Sequence, residues 1–209
     1  AGYMITKDIG YIRIGQFGAT TYDEYRQAFM ELSEKGMSKL ILDLRDNPGG
    51  YLQTAIKIAD EFLPENKLIV YTKGKSRPHE NYLASSRGFF EEGEMAVLID
   101  EGSASASEIV AGALQDWDRA TIIGRRSFGK GLVQEQSSLP DGSALRLTIA
   151  RYYTPTGRSI QKPYSEGHSE YVRELFERRA HGELEYSDSI HFADSLKFTT
   201  PGGKTVYGG

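Results

Sequence analysis

Two short runs, Leu40-Ile41-Leu42 and Ala96-Val97-Leu98-Ile99, contain no polar residue at alternate positions. A strand with one wet face alternates apolar and polar residues, so unbroken apolar runs of this length mark strands buried on both faces. Each is followed by a turn and a helical pattern. Asp43 to Gly50 leads into Leu52, Ala55, Ile56, Ala59, Phe62 and Leu63, and Asp100 to Ser105 leads into Ala106 to Trp117. Further strands are expected over Ile9–Phe17, Leu68–Thr72 and Ala120–Ile123, and two arms over Gly131 onward and Ala144–Tyr153 around Pro140-Asp141-Gly142-Ser143. A first helix is expected from a capping box at Thr21 and Glu24 to a stop at Gly36. Strands alternating with helices through about residue 125 imply an α/β fold with a largely parallel sheet and covering helices. After Gly157 the composition changes. A charged helix over Ser169–His181 and a hairpin over Leu196–Tyr207 read as a C-terminal appendage, residues 164–209, on a core of residues 1–163.

Composition narrows the chemistry. The 209 residues carry 25 basic and 29 acidic side chains, a net charge of −4, which argues against a nucleic-acid-binding domain. There is no cysteine, so disulfides, zinc-thiolate sites and thiol nucleophiles are excluded. No run approaches 18 apolar residues, so no membrane-spanning helix is expected. The four histidines, His79, His168, His181 and His191, are scattered and read as isolated surface residues, with no metal site implied.

Two loops stand out. Asp100-Glu101-Gly102-Ser103-Ala104-Ser105-Ala106-Ser107-Glu108 joins a buried strand to a helix mainly through small residues. Ser105 and Glu108 form a capping box, so Ser105 reads simply as an N-cap. The same place suits a reactive serine, because outward amides and the helix dipole favour developing negative charge. The second loop is Gly124-Arg125-Arg126-Ser127-Phe128-Gly129-Lys130-Gly131. Three readings fit it. One is a phosphate loop, lacking the expected Ser/Thr after the lysine and the helix behind it. Another is an S-x-x-K pair at Ser127 and Lys130 without a K-T-G partner. The third makes Lys130 a base for a serine elsewhere.

Four blocks, Leu42 to Gly50, Glu101 to Ile109, Ser127 to Gln134 and Tyr152 to Ile160, together resemble the C-terminal processing peptidases, the tail-specific serine proteases of peptidase family S41. The match spans about residues 8 to 163. The resemblance implies a ClpP/crotonase-like core in which Ser105 is the nucleophile, Lys130 the base and Gln134 its assistant. It also implies an oxyanion hole from the amides of Ala106 and Gly50, and a supporting place for Asp116, whose simpler role is a structural partner of a residue such as Arg119. It implies no cofactor, protein or peptide substrates engaged near their C-termini, and a bacterial envelope address. Oligomerisation stays open. The family's PDZ domain is not seen here, and the expectation is a piece of a longer protein. The competing reading is a peptide-binding core without turnover.

Overall fold

The computed structural model describes residues 2–164, 167–186, 190 and 192–208, without the side chains of His168 and Val172. His191 and the His168 side chain, both expected at the surface, therefore lie outside the described residues.

The first sheet has five strands: β1 (Gly2–Met4), β2 (Ile9–Arg13), β3 (Lys39–Asp43), β6 (Glu94–Ile99) and β7 (Thr121–Gly124). They lie in that order. β1 runs antiparallel to β2, and the other four are parallel. One register row runs Ile12, Leu42, Val97 and Ile122. Leu42 and Val97 on it are fully buried, as their unbroken apolar runs require. Helices α1 (Thr21–Glu34), α2 (Leu52–Asp60) and α3 (Ala106–Asp116) cover the sheet, with α3 buried along almost its whole length. The α1 cap falls one residue earlier than expected. Thr20 takes the N-cap, its hydroxyl donates to the Glu24 carboxylate at 2.6 Å, and the Thr21 hydroxyl instead donates to the Gln16 carbonyl.

The parallel sheet does not contain every core strand. β4 (Leu68–Lys73) joins β5 (Glu80–Leu83), β8 (Leu132–Ser138) and β9 (Ala144–Tyr153) in a separate antiparallel sheet ordered β5-β4-β9-β8. β5 lies in the polar stretch Lys73 to Gly93, between the strands expected from sequence. The C-terminal segment holds α4 (His168–Ala180) and a hairpin of β10 (Lys197–Thr199) and β11 (Thr205–Tyr207). Contacts tie it back to the core: Lys162 and Arg126 both meet Glu174, and Arg178 donates to the carbonyls of Arg126 and Ser127. Among the described residues no helix is long and apolar enough to cross a membrane.

Candidate active site

Loops leaving the carboxyl ends of β2, β3, β6 and β7 converge, where open parallel sheets place their ligand crevices. Buried Asn47 is the knot between three of them. Its Nδ2 donates to the Ile14 carbonyl at 2.7 Å and its Oδ1 accepts the Gly49 N–H at 2.9 Å. Its carbonyl accepts the Ala104 N–H and the Ser107 hydroxyl, both at 2.9 Å. These bonds satisfy backbone groups that burial would otherwise strand.

Ser105 stands at the N-terminus of α3 with φ 55° and ψ −108°. This is a sparsely populated conformation for a residue with a side chain, and holding it costs about 1–3 kcal/mol. The surrounding loop enforces it. A Cβ on Gly49 would stand 2.6 Å from the Ala104 carbonyl oxygen and 2.8 Å from both the Ala106 nitrogen and the Ser105 Cβ. Only glycine at 49, itself at φ +97°, lets the Asn47–Gly50 turn press so closely on Ser105.

Gly49 and Gly50 differ in what their amides do. The Gly49 N–H is held by Asn47. Phe17 pairs with Gly50 in a parallel bridge, in which the Phe17 N–H donates to Gly49 and the Tyr51 N–H to Phe17. In that pattern the Gly50 N–H faces away from Phe17. The Ala106 N–H is at the first position of α3, where a helix has no internal acceptor for it.

Glu108 joins the two unusual loops. Its buried carboxylate accepts the Ser105 N–H at 2.7 Å and the Lys130 N–H at 2.9 Å on Oε2. Oε1 accepts the Ser127 hydroxyl and the Gly129 N–H, both at 2.7 Å. Burial pushes this carboxyl up from its ordinary range, and the four donors pull against that shift. The sequence shows Glu108 only as half of a capping box. Its bonds to Ser127, Gly129 and Lys130 depend on loop convergence that local spacing does not reveal.

Ser105 and Lys130 are thus brought together through their backbones. The Lys130 side chain is exposed. Gln134 lies on β8, also exposed, and lines the same cleft as Gly50. The phosphate-loop reading fails because the residues behind Lys130 form strand β8. The S-x-x-K reading fails because no helix links Ser127 to Lys130, and the Ser127 hydroxyl is held by Glu108.

Asp116 is elsewhere. It ends α3, roughly 15 Å along the axis from Ala106 at 1.5 Å per residue. Fully buried, it accepts from the Arg158 guanidinium and from the Thr156 N–H and hydroxyl. Arg158, not the sequence-adjacent Arg119, is its partner. Arg119 donates instead to the carbonyls of Phe62 and Phe90. No cluster of three or more potential metal-ligating His, Asp or Glu side chains occurs among the described residues.

Comparison with known proteins gives the family. The family model described as peptidase family S41 matches residues 8–169. A carboxyl-terminal-processing protease of Synechocystis sp. is 46% identical over 156 residues, 75% of this chain and 36% of the relative. A carboxy-terminal-processing protease of Bartonella bacilliformis is 45% identical over 163 residues, 76% of this chain and 38% of the relative. The solved photosystem II D1 C-terminal processing protease superposes with a TM-score of 0.68 at 38% identity, covering 73% of this chain and 39% of that one. The chain therefore spans little more than a third of the length of these relatives. With the family model matched across most of its length, the chain belongs to peptidase family S41.

Proposed function

We propose that this chain carries the catalytic core of a serine endopeptidase of the C-terminal processing type. The observation that carries the reading is Ser105. It is held in a strained turn at a helix N-terminus, against a glycine turn whose Gly50 amide faces away from its strand partner. The Ser105 Oγ attacks the scissile carbonyl carbon, and Lys130, acting as the free amine, takes the hydroxyl proton. The amides of Ala106 and Gly50 receive the oxyanion. When the C–N bond breaks, Lys130 returns the proton to the leaving amine. Water then hydrolyses the acyl-enzyme by the same route. Gln134 orients the Lys130 amine. Lys130 is exposed in the free chain, so a bound peptide must cover it to strip its water.

Protein substrates engaged near their C-termini, and a bacterial envelope address, belong to the same proposal. So does a division into a core of residues 1–163 and an appendage of residues 164–209. The test is cleavage of an unfolded protein without ATP by the wild-type chain, Ser105→Ala and Lys130→Arg. Fragments are expected from wild type alone, since arginine does not deprotonate. Residual cleavage by Ser105→Ala above the buffer rate would overturn the nucleophile, and a full rate in Lys130→Arg would overturn the base. The exposure of Lys130 favours one rival, a core that binds peptide without turnover. Peptide affinity with no fragments from wild type would select it.

A further inference from the structure

An open cleft of about 420 Å³ separates the Gly50 turn from the β8–β9 hairpin. Phe17, Gly50 and Tyr51 line one side, and Gln134, Gln136 and Arg146 the other. Among the described residues on this lining, Arg146 alone is charged. The hairpin register explains why these side chains meet. Gln136 pairs with Arg146 and Gln134 with Thr148, so all four share one face. On the opposite face Glu135 pairs with Leu147, and its carboxylate is bound by Arg77. The hairpin thus closes an ion pair on one face and turns a guanidinium toward the cleft on the other. The Arg146 Nη2 donates to the Gln136 Oε1 at 3.0 Å. A neutral amide orients the guanidinium without cancelling its charge. Among the described residues no carboxylate forms a salt bridge with Arg146.

We propose that Arg146, steadied by Gln136, is a substrate subsite that takes a carboxylate of the bound peptide. A planar guanidinium fork matches a carboxylate in two parallel hydrogen bonds, which an amide or hydroxyl group on the peptide does not reproduce. The inference rests on the peptidase reading above, because Gly50 and Gln134, both given roles there, line this cleft. Two sources share the chemistry: the peptide's free C-terminus and an acidic side chain close to the scissile bond.

The experiment uses one fluorescent peptide in three versions: a free acid with Glu near the scissile bond, its C-terminal amide, and the free acid with that Glu replaced by Gln. Binding is read by anisotropy on the Ser105→Ala chain, and turnover on the wild type. Adding Arg146→Gln is expected to weaken the all-carboxylate version about tenfold. Arg146→Lys should retain part of that affinity, and the version lacking the recognised carboxylate should bind every variant alike. If the amide version is insensitive to Arg146, the terminus is the ligand. If the Gln version is insensitive, the side chain is. Equal affinity of all versions for the parent chain, or no affinity for any, overturns the subsite. An Arg146-dependent affinity with no cleavage by wild type keeps the subsite and removes the peptidase reading. Cleavage that ignores Arg146 and peptide charge does the reverse.

Discussion

The backbone N–H groups of Ser105 and Lys130 donate to one and the same atom, the Oε2 of Glu108, at 2.7 and 2.9 Å. A single buried carboxylate therefore sets the spacing between two loops that meet nowhere in sequence. Glu108→Gln keeps the shape but presents an NH2 group to donors that need an acceptor. We expect kcat to fall about 100-fold while KM stays within about threefold, as for a positioning residue. Steady-state kinetics beside thermal unfolding checks this. A lowered melting temperature with unchanged kcat per folded molecule would reduce Glu108 to a structural strut.

Gly49→Ala places a methyl group into backbone atoms on the Ser105 loop, at a positive φ. Destabilisation of about 2–4 kcal/mol is expected, with activity down at least about 100-fold. Gly142→Ala is the control. It also has a positive φ, but nothing lies within 4 Å of the added carbon. It should cost about 1 kcal/mol and leave turnover intact. Urea unfolding of both variants gives the comparison.

Acid should loosen the turn that carries Asn47 through Asp43. Burial pushes this carboxyl up, but hydrogen bonds from Arg45 and the Tyr11 hydroxyl outweigh it and hold the group at about 2, below its ordinary 3.8. A folded-state value below the unfolded one gives stability that is present above about pH 3.8 and lost as pH falls toward 2. Asp43→Asn should lower the urea midpoint near neutrality and flatten its fall between pH 4 and 2, with circular dichroism as the readout. An unchanged acid slope in the variant would remove Asp43 from the account.

Asp116 should matter through folding. Asp116→Asn leaves the buried Arg158 without its counter-charge, at an expected cost of about 3–5 kcal/mol. The melting temperature drops, while kcat per folded molecule, measured well below that temperature, stays near wild type. A lost kcat in a fully folded variant would give Asp116 a part in the chemistry.

The parallel sheet was legible because two-sided burial writes itself as unbroken apolar runs such as Leu40-Ile41-Leu42. Of the second sheet only the β8–β9 hairpin was, through its turn at Pro140–Ser143; its pairing with β4 and β5 was not. Leu68-Ile69-Val70-Tyr71 reads the same whether its neighbours are parallel or antiparallel, since periodicity reports burial and not partners. β5, Glu-Asn-Tyr-Leu, is a short edge strand with too little apolar surface to announce itself. The candidate site was legible as four short blocks in a fixed order. What joins them was not. Glu108 looked like a local cap, and the partner of Asp116 looked like Arg119, three residues away. The cap is real, but the further bonds of Glu108 and the Asp116–Arg158 pair were hidden for one reason: side chains that cross-link loops distant in sequence leave no local spacing behind.

The turn at Asn47–Gly50 and the loop at Ala104–Glu108 hold each other largely through main-chain groups, whereas the hairpin face across the cleft presents side chains. Laboratory evolution can exploit that division. Libraries randomised at Tyr51, Gln136 and Arg146 would reshape which peptides enter, and the amides proposed to receive the oxyanion would keep their positions, because no randomised side chain supports them.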